Sequence, residues 1–241
     1  MDRLVYTSMA GAKASLQRQD VLAHNLANVS TQGFRAELAA FRAVPVRGDG
    51  ASTRVAAIET TIGYSTQPGP VQSTGRSLDV AVKGQSWLSV QALDGTEAYT
   101  RAGSLDVNNE GMLVTQSGLP VAGDGGPITV PPNATVEIAA DGTVTARSGN
   151  GRPTNLGRIK LVTPEGPLTR GPDGLFRGAD GDLPADPAAR LQSGSLEGSN
   201  VSPVETMVAM IAAARQFEHH MKLLQGAEQR EQQAAKLLGS M

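Results

Sequence analysis

The side chains best suited to chemistry are few and poorly placed for it. Histidine occurs at His24 and as the neighbours His219-His220. Adjacent helical residues point to different faces, so the pair cannot chelate one ion, and no zinc site is expected. Asp106-Val107-Asn108-Asn109-Glu110-Gly111 imitates the start of a calcium loop, but the twelfth position is Ser117 rather than glutamate. A hairpin turn is the better reading. Gly123-Asp124-Gly125-Gly126 lacks the spacing of a dinucleotide-binding loop and the helix that should follow, so it reads as a plain loop. No serine stands with a base, and no carboxylate pair marks an acid–base dyad. The expectation is a non-enzyme with no cofactor, no metal and no small-molecule substrate.

The bulk composition agrees. The 241 residues carry a net charge of −2, with no run of like charge. Nucleic acid calls for clustered Lys and Arg and for exposed aromatics, yet aromatics are only 3% of the chain. Glycine (28) and proline (14) are abundant, so many turns and a modest core of small aliphatics are expected. There is no cysteine, which excludes disulfides and thiolate metal sites and suits an oxidising compartment. The N-terminus lacks a basic segment followed by an apolar stretch, so no cleavable secretory signal is expected. The longest apolar run, Met207 to Ala214, is far short of the roughly 20 residues that cross a bilayer.

The organisation is helix, long β region, helix. From Arg3 to Ala27 a seam of Val5, Met9, Ala12, Leu16, Gln19, Ala23 and Leu26 alternates spacings of four and three. That is the rhythm of a helix packed along another. Ser30-Thr31-Gln32-Gly33 should end it near Asn28. At the other end, Ser202-Pro203-Val204-Glu205 is a capping box with proline at the first helical position. A second seam then runs through Met207, Met210, Ala214, Phe217, Met221, Leu224, Glu228, Glu231, Ala235 and Leu238. A helix of that length spans about 54 Å.

Between them, alternating stretches at Leu78–Val82, Trp87–Val90, Ala98–Arg101, Leu105–Val107, Met112–Thr115, Ile128–Val130, Val136–Ile138 and Ile159–Val162 read as strands. Asp94-Gly95, Asn109-Glu110-Gly111 and Asp141-Gly142 supply turns. The fold class is α+β: two long terminal helices in an antiparallel, coiled-coil-like pair, with a central, mainly antiparallel β domain. The expected divisions are a helix at 1–30, an extended linker at 31–75 with at most one strand, a β-rich domain at 76–200 and a helix at 201–241. The polar seam positions Gln19, Glu228 and Glu231 leave burial incomplete in a lone molecule, which points to partner subunits.

Four stretches, in order, carry a resemblance. Asn25-Leu26-Ala27-Asn28-Val29-Ser30-Thr31-Gln32-Gly33-Phe34-Arg35 resembles the N-terminal signature of the flagellar rod and hook proteins. Ser77–Gly84 and Ala98–Leu105 resemble two stretches of that family's β domain. Gly194–Val201, with Glu197, Ser199, Asn200 and Val201, followed by Glu205-Thr206-Met207, resembles its C-terminal signature. The opening nine residues and Phe34–Val46 are similar to the proximal-rod branch, with the distal-rod branch as the alternative. The chain has Ser86-Trp87-Leu88 where the family usually has an aromatic pair after Gly84-Gln85.

The resemblance implies a structural subunit of the basal-body rod in the periplasm, exported by the flagellar type III apparatus without a cleaved signal. It implies stacking with itself and with other proximal- and distal-rod proteins into a hollow shaft that carries torque. The terminal helices would line its inner tube. The competing readings are a cell-wall-acting enzyme, for which Glu97, Glu110 and Glu137 would be the carboxylates to test, and a self-contained binding module.

Overall fold

In the computed structural model, the described residues are 2–45, 55–149, 151–179 and 181–238. They divide into two compact units, one of residues 1–29, 36–65 and 201–241, the other of 30–35 and 66–200.

The first unit holds both long helices, α1 (Asp2–Ala27) and α2 (Pro203–Leu238), which pack against each other. The inward stripe is made of small and polar residues. Ser8, Ala12, Ser15 and Asn25 of α1 are buried, as are Thr206, Ala213 and Ala227 of α2. The buried hydroxyls are satisfied by their own helices: Ser15 donates to the Gly11 carbonyl at 3.0 Å and Thr206 to the Ser202 carbonyl at 2.8 Å. The contact is close. A Cβ on Gly11 would stand 2.4 Å from Cε1 of His220, so any other residue there would push the ring aside.

Against α1 lies a ribbon of two antiparallel strands, β1 (Glu37–Pro45) and β2 (Val55–Tyr64). Its register runs from Glu37↔Tyr64 to Pro45↔Val55, with an irregularity between Leu38 and Ala39 beside Gly63, whose φ is 140°. The sequence reading allowed one strand within 31–75. The structure has a third there as well, at Val71–Ser73. The alanine-rich strand 37–45 has weak β propensity, so its extended form depends on pairing and on the helix behind it.

The second unit is a β body of short antiparallel strands. A five-stranded sheet orders 161–162, 87–91, 97–100, 176–177 and 169–170; a meander joins 134–138, 143–148 and 154–158. Two-residue to three-residue strands complete it, with 191–193 pairing 80–82 and 195–197 pairing 71–73. The core is aliphatic and small: Val80, Leu88, Leu105, Leu113, Val121, Val144, Ile159 and Leu191 are all fully buried. The turns form where glycine permits positive φ, at Gly95 (80°), Gly111 (78°) and Gly142 (89°). Asn108–Gly111, the apparent calcium loop, is such a turn, with the Asn108 carboxamide oxygen accepting from the N–H groups of Glu110 and Met112. Gly123 and Gly126 pair in a tight hairpin. Ile128–Val130 is not a strand; Thr129 makes one isolated bridge to Met112.

Candidate functional site

In the first unit the N-terminal signature works at the end of α1. Asn25 meets the backbone of Glu37 twice: its amide donates to the carbonyl at 3.0 Å and its oxygen accepts the N–H at 2.8 Å. A side-chain amide thus acts as the strand partner that starts β1. Asn28 closes the helix, its amide donating to the His24 carbonyl at 2.9 Å. His24 Nδ1 lies 3.3 Å from the Glu37 carboxylate. At the start of α2, Ser202 Oγ accepts the Glu205 N–H at 3.5 Å, and Pro203 is the first helical residue.

The expected seams prove to straddle two faces. Ala12 is buried, and Val5, Leu26, Met210, Ala214, Phe217 and Leu224 are half-buried. Met9, Leu16, Ala23, Met207 and Met221 are exposed. The stripe that faces the partner helix takes Ser8 and Ser15 in place of Met9 and Leu16, and Thr206 and Ala213 in place of Met207 and Ala214. The larger apolar side chains therefore stay outside, joined by Tyr6, Val204, Val208, Ile211 and Leu223. Glu228 is exposed; the side chains of Glu231, Ala235 and Leu238 lie outside the described residues. Single exposed apolar residues are ordinary; here they form rows along both helices.

In the second unit the remaining signature residues converge on one buried ion cluster. Glu197, Arg35 and Arg101 are each no more than 2% exposed. Arg101 sends Nε and Nη2 to Glu197 Oε2 at 2.7 and 2.6 Å; Arg35 Nη2 lies 2.9 Å from Oε1. Oε1 also accepts the Gly69 N–H at 2.9 Å. The rest of the Arg101 fork donates to the carbonyls of Val82, Gly84 and Ser86, and Arg35 Nη1 donates to that of Gln67. A buried carboxylate between two guanidiniums survives only with its lone pairs filled in this way.

Backbone approach enforces the glycines around it. Gly33 has φ 66°, and a Cβ there would lie 2.3 Å from the Arg101 carbonyl carbon. A Cβ on Gly69 would fall 2.1 Å from the Gly198 oxygen, and one on Gly103 only 1.6 Å from the Val80 oxygen. Phe34 is buried under Arg170, whose guanidinium sits 4.5 Å from the ring centre. Thr31 is exposed and accepts the Phe34 N–H, while Ser199 and Val201 are buried. Asn200 bonds the Phe34 carbonyl through its N–H at 3.2 Å and the Gln67 carbonyl through its amide at 2.9 Å.

Sequence reading singled out Glu197 but missed Arg35 and Arg101 as its partners. The signal available was a lone Arg in each of two signature stretches and a lone Glu in a third. Of the carboxylates considered for wall chemistry, Glu97 is held by Lys160 at 2.7 Å, while Glu110 and Glu137 are exposed on a turn and a strand. Among the described residues no group of His, Asp and Glu is placed to hold a metal, and no helix is long and apolar enough to cross a membrane.

Three family models match. "Flagella basal body rod protein" covers residues 5–35, "Flagellar hook protein FlgE/F/G D1 domain" covers 81–146, and "Flagellar basal body rod FlgEFG protein C-terminal" covers 192–237. The chain is 48% identical to the flagellar basal-body rod protein FlgF of Salmonella typhimurium and 46% identical to that of Escherichia coli, each over 99% of both chains. It is 33% identical to the rod protein FlgG of Bacillus subtilis, over 93% of this chain and 94% of the relative. With likeness of this order along the whole length, the chain belongs to the family of flagellar basal-body rod proteins, on the FlgF side of it, and is a structural subunit of that rod.

Proposed function

We propose that this subunit polymerises through α1 and α2, with the two helices forming an antiparallel, coiled-coil-like pair that lines the inner tube of a hollow shaft. The β unit stands outside that tube. The shaft transmits torque and lets exported subunits pass. Its partners are further copies of the chain and the other proximal- and distal-rod proteins, met in the periplasm after export by the flagellar type III apparatus. The role involves no catalysis, cofactor or small-molecule substrate.

The observation that carries this reading is the outward placement of Met9, Leu16, Met207, Val208, Ile211 and Met221. A helix pair with its large apolar residues turned outward gains most of its burial only when neighbours arrive. The antiparallel arrangement is supported by the contact of Gly11 with His220, since the two stand nearly equal numbers of residues from the C-terminal end of α1 and the N-terminal end of α2. A contact that is head-to-tail and does not close yields a helical assembly.

The test replaces outward residues singly by aspartate. Met9→Asp and Met207→Asp should leave the monomer's circular dichroism unchanged yet abolish co-sedimentation with rod proteins and motility in a complemented strain. Wild-type motility in both variants would refute assembly through these faces.

A further inference from the structure

Four chain crossings link the two units, after residues 29, 35, 65 and 200. Within the β unit, the ends of three of them are gathered by one residue, Glu197. The main-chain oxygen of Glu197 accepts the Gly33 N–H at 2.8 Å; its side chain takes Arg35 Nη2 and the Gly69 N–H, both at 2.9 Å. Gln67 is tied in from two sides, by Arg35 and by Asn200. Arg101 then fastens the group to the β body, through Glu197 on one edge of its guanidinium and the Val82, Gly84 and Ser86 carbonyls on the others.

The strand pairings that join these segments to the β body are short. Among the described residues, strand 195–197 pairs with 71–73 alone, whose three residues are all exposed, and 191–193 with 80–82 alone. Three-residue pairings of this kind unzip readily under load. A guanidinium fork, by contrast, is directional and resists sliding. The cluster is a poor source of net stability, because burying its charges costs about what their attraction returns. What it supplies is commitment of residues 33–35, 67–69, 101 and 197 to a single arrangement.

We propose that Glu197, bridging Arg35 and Arg101, is the mechanical anchor through which tension along the terminal segments enters the β unit. Tension drawn through α2 reaches Asn200 and then Glu197 before any core strand. Tension drawn through α1 reaches Gly33 and Arg35, which Glu197 also holds. The purpose of such an anchor rests on the rod reading, in which the subunit carries torque; its existence does not.

The chain has no cysteine, so Leu93→Cys, on an almost fully exposed residue, and Gln225→Cys give unique handles for pulling the full chain at constant force. Release of the segment ending at Asn200 should be roughly 100-fold faster with Glu197→Gln, which leaves two cations facing each other, and about tenfold faster with Arg35→Lys, which keeps the charge but loses the fork. Near-ultraviolet dichroism of Trp87 should be unchanged in both. Equal release rates in all three proteins would overturn the anchor. A second measurement needs no variant: in the unmodified chain the Gly33 and Gly69 amides should exchange as slowly as those of the core strands. Exchange there within seconds would overturn the anchor even if neither variant folds. Normal rod assembly together with unaltered release would refute the anchor alone and leave the rod reading standing.

Discussion

At the scale of single residues, two glycines with opposite demands illustrate what this β unit tolerates. Gly84 has φ 67° with nothing within 4 Å of a built Cβ, so Gly84→Ala should cost only the left-handed penalty of about 1–2 kcal/mol. Gly103 has no unusual φ, but its missing Cβ would collide with the Val80 oxygen, which forces apart the pairing of two signature stretches. Gly103→Ala should cost about 3 kcal/mol or more. Urea midpoints of the two variants check the order, and equal midpoints would contradict it. Tyr99 offers a pH signature. Burial, opposed by the Leu183 N–H that its oxygen accepts, pushes its phenol up to about 12. The folded state then holds its proton where the unfolded chain has lost it, so stability should fall as pH rises from about 10 towards 12. Tyr99→Phe should flatten that decline in alkaline thermal melts. The turn residues were legible in the sequence, because Asp94-Gly95 and Asp141-Gly142 act locally. The ion cluster was not, because Arg35, Arg101 and Glu197 meet only after the whole unit has folded.

At the scale of elements, both helices and their limits could be read from sequence, since the Asn28 turn and the Ser202-Pro203 start are local signals. Which face turns inward could not. Periodicity ranks side chains by hydrophobicity, and that ranking favoured Met9 over Ser8 and Met207 over Thr206. Close helix approach reverses the choice, because small residues admit the neighbour and hydroxyls can bond their own carbonyls. An opposed pair of substitutions follows from this. Ala213→Asp, buried against the partner helix, should lower the helical melting temperature of the monomer, whereas Ile211→Asp, two residues away and exposed, should not. Far-ultraviolet dichroism during heating separates them. The β1–β2 ribbon escaped notice because its alternation is carried by alanine and threonine, residues that give little contrast between faces.

At the scale of the whole molecule, the two units should differ in how readily they open. The first buries mainly alanine, serine and threonine along its helix pair, whereas the second buries a contiguous aliphatic cluster. Hydrogen exchange on the dilute monomer should show amides of α1 and α2 exchanging well before those of Leu88, Leu113 and Val144. Uniform protection across both would show a first unit already complete without neighbours. The α+β class and the order of elements followed from sequence. The grouping of residues into units did not, because the chain crosses between them four times and local signals carry no record of a return.

The hexapeptide Ser30–Arg35 belongs to the β unit although thirty residues of the other unit separate it from the rest. A fragment cut at the obvious place, 76–200, would keep Arg101 and Glu197 but discard Arg35, Phe34 and the Gly69 amide. Its interior would then hold a carboxylate stripped of half its donors and a vacancy where an aromatic ring had been. Anyone seeking the β unit in isolation should graft the hexapeptide back, by circular permutation or by a short linker ahead of Thr66, before concluding that it cannot fold alone.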